Sequence, residues 1–294
     1  MKHRIRMASM VALAVLFGSA SAFAQIDLTG EWGARQQEDQ PHRNPGPELG
    51  DYAGFPINPA ARQKAEAWDA SILSQPERQT QPHPAQYSLR GGGGPNLHFA
   101  KIYNPLDHTL MAYSMQSLFG RADRIIWLDG RPHPSDYTEH TWDGFSTGVW
   151  EGDTLVVTTT HMKQGVIQRN GIASSPYGVM TEHIWRHGDY LTIFTSVDDP
   201  IFLDEPFVRT SNWVRNPNGE LAPPATFEVT DELGNRPLGW VPHWPLGTHQ
   251  TEFAEHTGIP FMATQGGKAT MYPEYMLEIE RLKMEEAAKK KSKQ

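Results

Sequence analysis

Short runs of apolar and β-branched residues alternate along most of the chain with turns rich in Gly, Pro, Asn and Asp. Runs of this length and composition predict β-strands. Because the strands follow one another through short connections, we expect a mostly β chain that folds as a single antiparallel β-barrel or sandwich with long Pro- and Gly-rich loops. Besides a central hairpin, the predicted strands are 26–32, 96–103, 109–119, 121–128, 179–186, 190–197, 207–215 and 225–230.

The central hairpin lies within 129–161, where histidine, tryptophan and acidic residues are dense. A two-residue loop at Glu151 and Gly152 precedes an almost purely β-branched strand. The implied register pairs Trp150 with Asp153, Gly148 with Leu155, Ser146 with Val157, Gly144 with Thr159 and Trp142 with His161. Paired residues share a face. Small residues in the middle of this face, with aromatic and imidazole groups at one end, therefore predict a wall beside a ligand cavity.

The chain ends and one internal segment predict further elements. A basic start, a short apolar run and Ala-Phe-Ala predict a signal peptide over 1–24, so we expect a periplasmic or secreted protein. Asn58 as N-cap and Pro59 at the first helical position predict a helix near 59–74. A charged helix and tail should occupy 276–294. The intervening residues 25–275 are expected to form one barrel-like domain with loop-rich ends.

Composition limits the partners. The chain has no cysteine, 26 basic residues and 34 acidic residues, so its formal net charge is −8 before the basic leader is removed. Nucleic acid and anionic membranes are poor partners for such a surface. After the leader, no apolar run is long enough to span a bilayer. The composition favours a small-molecule partner and leaves the oligomeric state open.

Two motifs resemble known families. Gly30-Glu31-Trp32 on the first strand resembles the Gly-x-Trp with which lipocalin-like and other calycin barrels plug one end of the barrel. The phrases DGRPHP at 129–134 and GVWEGDTLVV at 148–157 resemble a large family of secreted proteobacterial and acidobacterial proteins. The first resemblance implies a calycin-like barrel, whereas the second implies little about activity.

Three histidines are the first candidates for chemistry. His133 lies in a Pro-flanked loop, and His140 and His161 lie near each other on the predicted hairpin face. Converging imidazoles can bind zinc, copper or iron and leave positions for a substrate. Because their spacing matches no standard metal signature, a metal-free polar site and structural roles stay open beside the metal site.

Glu182 is the second candidate, because pairing across a turn at 188–189 places it opposite Thr195 among apolar residues. There it either pairs with Arg186 or serves as a general acid or base. Asp129 and Arg131 could orient a histidine or bind a substrate carboxylate. Ser146 lies in a strand without the following helix of a nucleophile elbow, which argues against a serine hydrolase.

These residues favour an exported calycin-like barrel that binds a small apolar or aromatic molecule. Its expected chemistry is cofactor-free proton transfer of the isomerase, lyase or hydratase type, with His140 or His161 as base and Glu182 as acid. The ligand-binding residues would be Trp142, Ser146, Asp129, Arg131 and His133. Two alternatives stay open: a metal-dependent enzyme that uses His133, His140 and His161, and a non-catalytic periplasmic ligand carrier.

Overall fold

A closed β-barrel of nine strands forms the centre of the protein in a computed structural model, which confirms the predicted fold class. The structure describes residues 26–35, 47–69, 72, 79, 81–90, 96–117, 124–168, 170–219, 235–237, 240, 245 and 247–292. The predicted signal peptide 1–24 and the predicted strand 225–230 lie outside the described residues.

The barrel strands have these bounds: β1 (Gly30–Ala34), β2 (Asn96–Tyr103), β3 (Leu110–Ser117), β4 (Arg124–Trp127), β5 (Phe145–Glu151), β6 (Thr154–Thr160), β9 (Val179–His187), β10 (Tyr190–Asp198) and β11 (Phe207–Arg215). A separate two-stranded sheet contains β7 (Gly165–Val166) and β8 (Ala173–Ser174). Around the barrel the order is β1, β11, β10, β9, β6, β5, β4, β3 and β2, and β1 closes the ring by pairing with β2.

Among the described strand pairs, only β4 and β5 run parallel, which departs from the predicted antiparallel order. Parallel neighbours need a connection that returns the chain to its starting end. Residues 128–144 make this return as a loop along the barrel, without a helix. Residues 129–134, the DGRPHP motif, belong to this crossover loop. Side chains of this motif therefore contact the barrel strands that the loop runs along.

The β5–β6 hairpin has a different register from the predicted one. Its turn residues are Gly152 and Asp153, and Gly152 has a φ of +60°, which glycine adopts readily. The observed pairs include Trp150 with Leu155, Gly148 with Val157, Ser146 with Thr159 and Phe145 with Thr160. This shift of two residues keeps the strand side chains on their predicted faces. Trp142 and His161 lie beyond the end of the ladder and are not paired.

Trp32 plugs the barrel end that carries the β5–β6 and β9–β10 turns. Its side chain is fully buried, and its Nε1 donates a hydrogen bond to the Leu28 carbonyl over 3.0 Å. The Arg186 guanidinium lies 5.4 Å from the Trp32 ring centre and donates to the Asp27 carbonyl. The Gly-x-Trp motif therefore closes this end of the barrel.

The opposite end of the barrel, called the mouth here, carries most of the loops. A second apolar cluster covers it, in which Met180 and Val197 from the strands pack with Tyr52, Phe55 and Ile57 from the segment before the first helix. The chain therefore crosses over the mouth between β1 and β2. Apolar packing at both ends leaves polar side chains in the barrel between two apolar layers.

Helix α1 (Pro59–Glu66) begins as predicted, because the Asn58 side chain accepts a hydrogen bond from the Ala61 amide over 3.0 Å. The helix is shorter than predicted. Trp68 lies beyond its end and packs closely on Gly171, because a Cβ added to Gly171 would lie 2.3 Å from the Trp68 Cβ.

The remaining helices are α2 (Glu252–Thr257), α3 (Phe261–Thr264) and α4 (Tyr275–Lys291), with 3-10 helices at Ala85–Arg90 and Gly267–Met271. Within the described ranges, no helix has the length and hydropathy needed to cross a membrane.

Candidate functional site

The residues predicted to form one site are divided between the two faces of the barrel wall. Side chains alternate along a strand, so Ser146 and Thr159 face the interior while Thr147 and Thr160 face outward. Ser146 and Glu182 contact a common interior partner. The histidines contact the outward hydroxyls instead. The proposed His base and Glu182 acid therefore have no shared set of contacts.

The interior partner is Arg124, at the start of β4. Its Nε donates to Ser146 Oγ over 3.0 Å, and its Nη2 donates to Thr159 Oγ1 over 2.7 Å and to Glu182 Oε2 over 2.5 Å. Arg124 is 6 % exposed and Glu182 is 1 % exposed, so the ion pair is buried. Of the two alternatives for Glu182, the pairing with Arg186 is wrong, because the Arg186 side chain contacts Trp32 and Asp27 at the plugged end.

Space beside the predicted wall is filled. A Cβ on Gly148 would lie 2.9 Å from Leu128 Cδ2 and 3.0 Å from Leu155 Cδ1. Ser146 is 1 % exposed, and its hydroxyl is hydrogen-bonded to both Arg124 and Thr159. The small residues of β5 thus accommodate neighbouring side chains and leave no ligand cavity at Gly148.

Asp129 and Arg131 open the crossover loop and bind each other. Arg131 Nε donates to Asp129 Oδ1 over 2.8 Å, and this hydrogen bond from Arg131 holds the pKa of Asp129 below its usual range. The Arg131 guanidinium also stacks on the Trp127 ring, 3.4 Å from its centre. These contacts fix the loop on the outer face of β4, and Asp129 orients an arginine rather than a histidine.

His133 and His161 form a hydrogen-bonded chain through Thr160. His161 Nε2 lies 2.9 Å from the Ser135 carbonyl, which can only accept, so Nε2 carries a proton and Nδ1 accepts from the Thr160 hydroxyl. The Thr160 oxygen then accepts from His133 Nδ1 over 2.8 Å, and His133 Nε2 accepts from Thr147. In this arrangement each ring has one nitrogen that donates and one that accepts. Burial, and then the neighbouring His161, lower the pKa of His133.

His140 completes this cluster, since its ring lies 5.2 Å from the His161 ring and its Nδ1 donates to the Met162 carbonyl over 3.0 Å. His161 has a φ of +58°, an uncommon conformation for a residue with a side chain. Both ring nitrogens of His133 and of His161 are used within the protein, which does not fit zinc, copper or iron ligation. Over the described residues, no three His, Cys, Asp or Glu side chains are placed to hold a metal ion.

Trp142 lies near the end of the same loop. Its carbonyl accepts a hydrogen bond from the Ala85 amide, and the Lys163 ammonium lies 5.5 Å from its ring centre. The residues of the crossover loop that were predicted to bind ligand therefore attach the loop to the barrel and to its neighbours. These contacts explain why polar side chains are dense in residues 128–144.

A groove of about 530 Å³ lies at the mouth, and sequence reasoning missed it. This mouth groove is lined by 53–56, by 205–209, and by Lys268, Met271 and Tyr272. Phe55 and Phe207 form its aromatic part, with ring centres 5.0 Å apart. One sequence feature could have indicated this groove. Phe207 and Arg209 are two residues apart on a predicted strand, so an arginine lies on the same face as an aromatic residue.

Apolar surface extends out of the groove. Met271 is 69 % exposed and Tyr272 is 61 % exposed, and both line the groove together with the buried Phe55. A connected apolar surface at a concave site is typical of a ligand-binding site.

Comparisons with protein-family models, with curated proteins and with solved structures find no match to this chain.

Proposed function

We propose that this protein is an exported β-barrel that binds a small apolar or aromatic molecule in the mouth groove and acts as a carrier. The observation that carries the proposal is the groove itself, about 530 Å³ in volume, in which aromatic walls continue into exposed Met271 and Tyr272. A volume of this size suits a molecule of one or two rings or a short acyl chain.

The carrier role is favoured over proton-transfer catalysis by the contacts of Glu182 and His161. Glu182 forms a buried ion pair with Arg124, and His161 uses both ring nitrogens within the protein. A general acid and base must both reach the same substrate. Glu182 lies inside the wall and the histidines contact its outer face, so we assign them to stability and the groove to binding.

The test is a fluorescence titration with N-phenyl-1-naphthylamine, a neutral aromatic probe whose emission rises in apolar surroundings. Tyr272→Ala removes an exposed groove residue and should weaken binding about fivefold, which corresponds to roughly 1 kcal/mol for one aromatic contact. Tyr137→Ala is the matched control, since Tyr137 is 99 % exposed on the crossover loop and lies away from the groove. Saturable binding that changes equally in both variants, or no binding to the folded protein, would contradict the proposal.

A further inference from the structure

We propose that the ligand of the mouth groove carries an anionic group, such as a carboxylate, which Arg209 from β11 and Lys268 from the 3-10 helix Gly267–Met271 bind. This inference rests on the proposed function and specifies the chemical class of its ligand. The first observation is the strand register. Arg209 pairs with Thr195, which is buried, whereas the adjacent Val208 is 52 % exposed. Arg209 therefore shares the inner face of β11 with Phe207, and it lines the mouth groove.

Lys268 lines the groove from the 3-10 helix Gly267–Met271. Its Nζ lies 4.0 Å from Asp204 Oδ2, which is too long for a hydrogen bond, and both side chains are 47 % exposed. An ammonium held this loosely keeps its donors available to a second anion. Arg209 has five N–H donors, so it can contact the protein and a ligand oxygen at the same time.

The charge balance of the groove points the same way. Two cationic side chains and one carboxylate, Glu205, line it, and the Asp204 carboxylate lies beside Lys268, so these charges balance although the chain has a formal net charge of −8. Balanced charge at one apolar groove of an acidic protein repels a negatively charged ligand less than the rest of the surface does, and two cationic groups are there to bind it. The Phe55 and Phe207 rings would contact the apolar body of that ligand while its anionic group lies between the two cations.

Two probes with the same ring system separate charge from apolar contact. The neutral probe is N-phenyl-1-naphthylamine, and the anionic probe is 8-anilinonaphthalene-1-sulfonate, which adds one sulfonate. Wild-type protein should bind the anionic probe more tightly, and added salt should reduce the difference. Arg209→Gln and Lys268→Gln should each weaken binding of the anionic probe about tenfold, the size expected for losing one charge-assisted hydrogen bond. Binding of the neutral probe should change less than about twofold in both variants.

Lys283→Gln is the matched control, because it removes a cation from the exposed helix α4, away from the groove. Near-ultraviolet circular dichroism must show native packing in every variant, since the anionic probe also binds partly unfolded chains. If Arg209→Gln does not fold, the exposed Lys268→Gln still decides the question. Equal affinity for both probes, unchanged by Lys268→Gln, would overturn the inference and leave the groove as an apolar site. Failure of both probes to bind would instead refute the proposed function.

Discussion

Glu182→Gln is expected to destabilise the barrel strongly, because it leaves the Arg124 guanidinium charged and buried. Arg124 is only 6 % exposed, and its remaining partners, the Ser146 and Thr159 hydroxyls and the Met115 sulfur, are all neutral. Breaking a buried ion pair from one side costs on the order of 3–5 kcal/mol. Because whole domains are stable by only about 5–15 kcal/mol, this loss should be visible as a large drop in the urea midpoint.

The assay is urea unfolding followed by circular dichroism, with Glu151→Gln as control for the same substitution at the exposed end of β5. The double variant Arg124→Met with Glu182→Leu removes both charges and should recover most of the lost free energy of unfolding, because an apolar pair of similar size avoids the buried unpaired charge. If Glu182→Gln unfolds within about 1 kcal/mol of wild type, the buried-pair reasoning is refuted and Glu182 becomes a candidate for chemistry again.

Two further predictions concern the crossover loop and the barrel wall. Folding lowers the pKa of His133 from 6.5, so the unfolded chain binds a proton at this ring more readily than the folded protein does. The free energy of unfolding should therefore be highest above pH 6.5 and should fall as the pH falls below that value. Urea unfolding across this range should show the loss, and His133→Gln should flatten it; an unchanged slope would argue against the neutral hydrogen-bonded chain. Gly148→Ala should destabilise by about 1–3 kcal/mol through overpacking against Leu128 and Leu155, whereas Val149→Ala on the exposed face should not. A neutral Gly148→Ala would mean that space exists inside this wall.

Much of the fold could be predicted because local patterns determine it. The pairing of Glu182 with Thr195 and the helix start at Asn58 follow from turn residues and capping chemistry, and both are confirmed. The parallel β4–β5 pair could not be predicted, since a long polar loop between two strands does not reveal on which side of the first strand the second returns.

The candidate site was harder to predict, because it depends on partners far apart in sequence. Arg124 is the interior partner of Glu182, but nothing local distinguishes it from Arg186, which lies on the same face of β9 as Glu182. Polar residues are dense in the crossover loop, and that density predicted a functional site there. In the structure these polar side chains instead bind backbone groups of a crossover that has no helix to pair them. The mouth groove joins segments from both halves of the chain, so no single stretch identifies it.

Closure of the barrel by β1 has a consequence for folding. β1 lies near the start of the described chain and β11 is the last of the described strands, so their pairing closes a very long loop. Contacts of such high sequence separation form late and slow the folding rate. Until they form, β1 and the growing end of the sheet present unpaired backbone edges that can pair with other chains. A chain truncated before Phe207 should therefore remain an open, self-associating sheet, which makes β11 the strand on which monomeric folding depends.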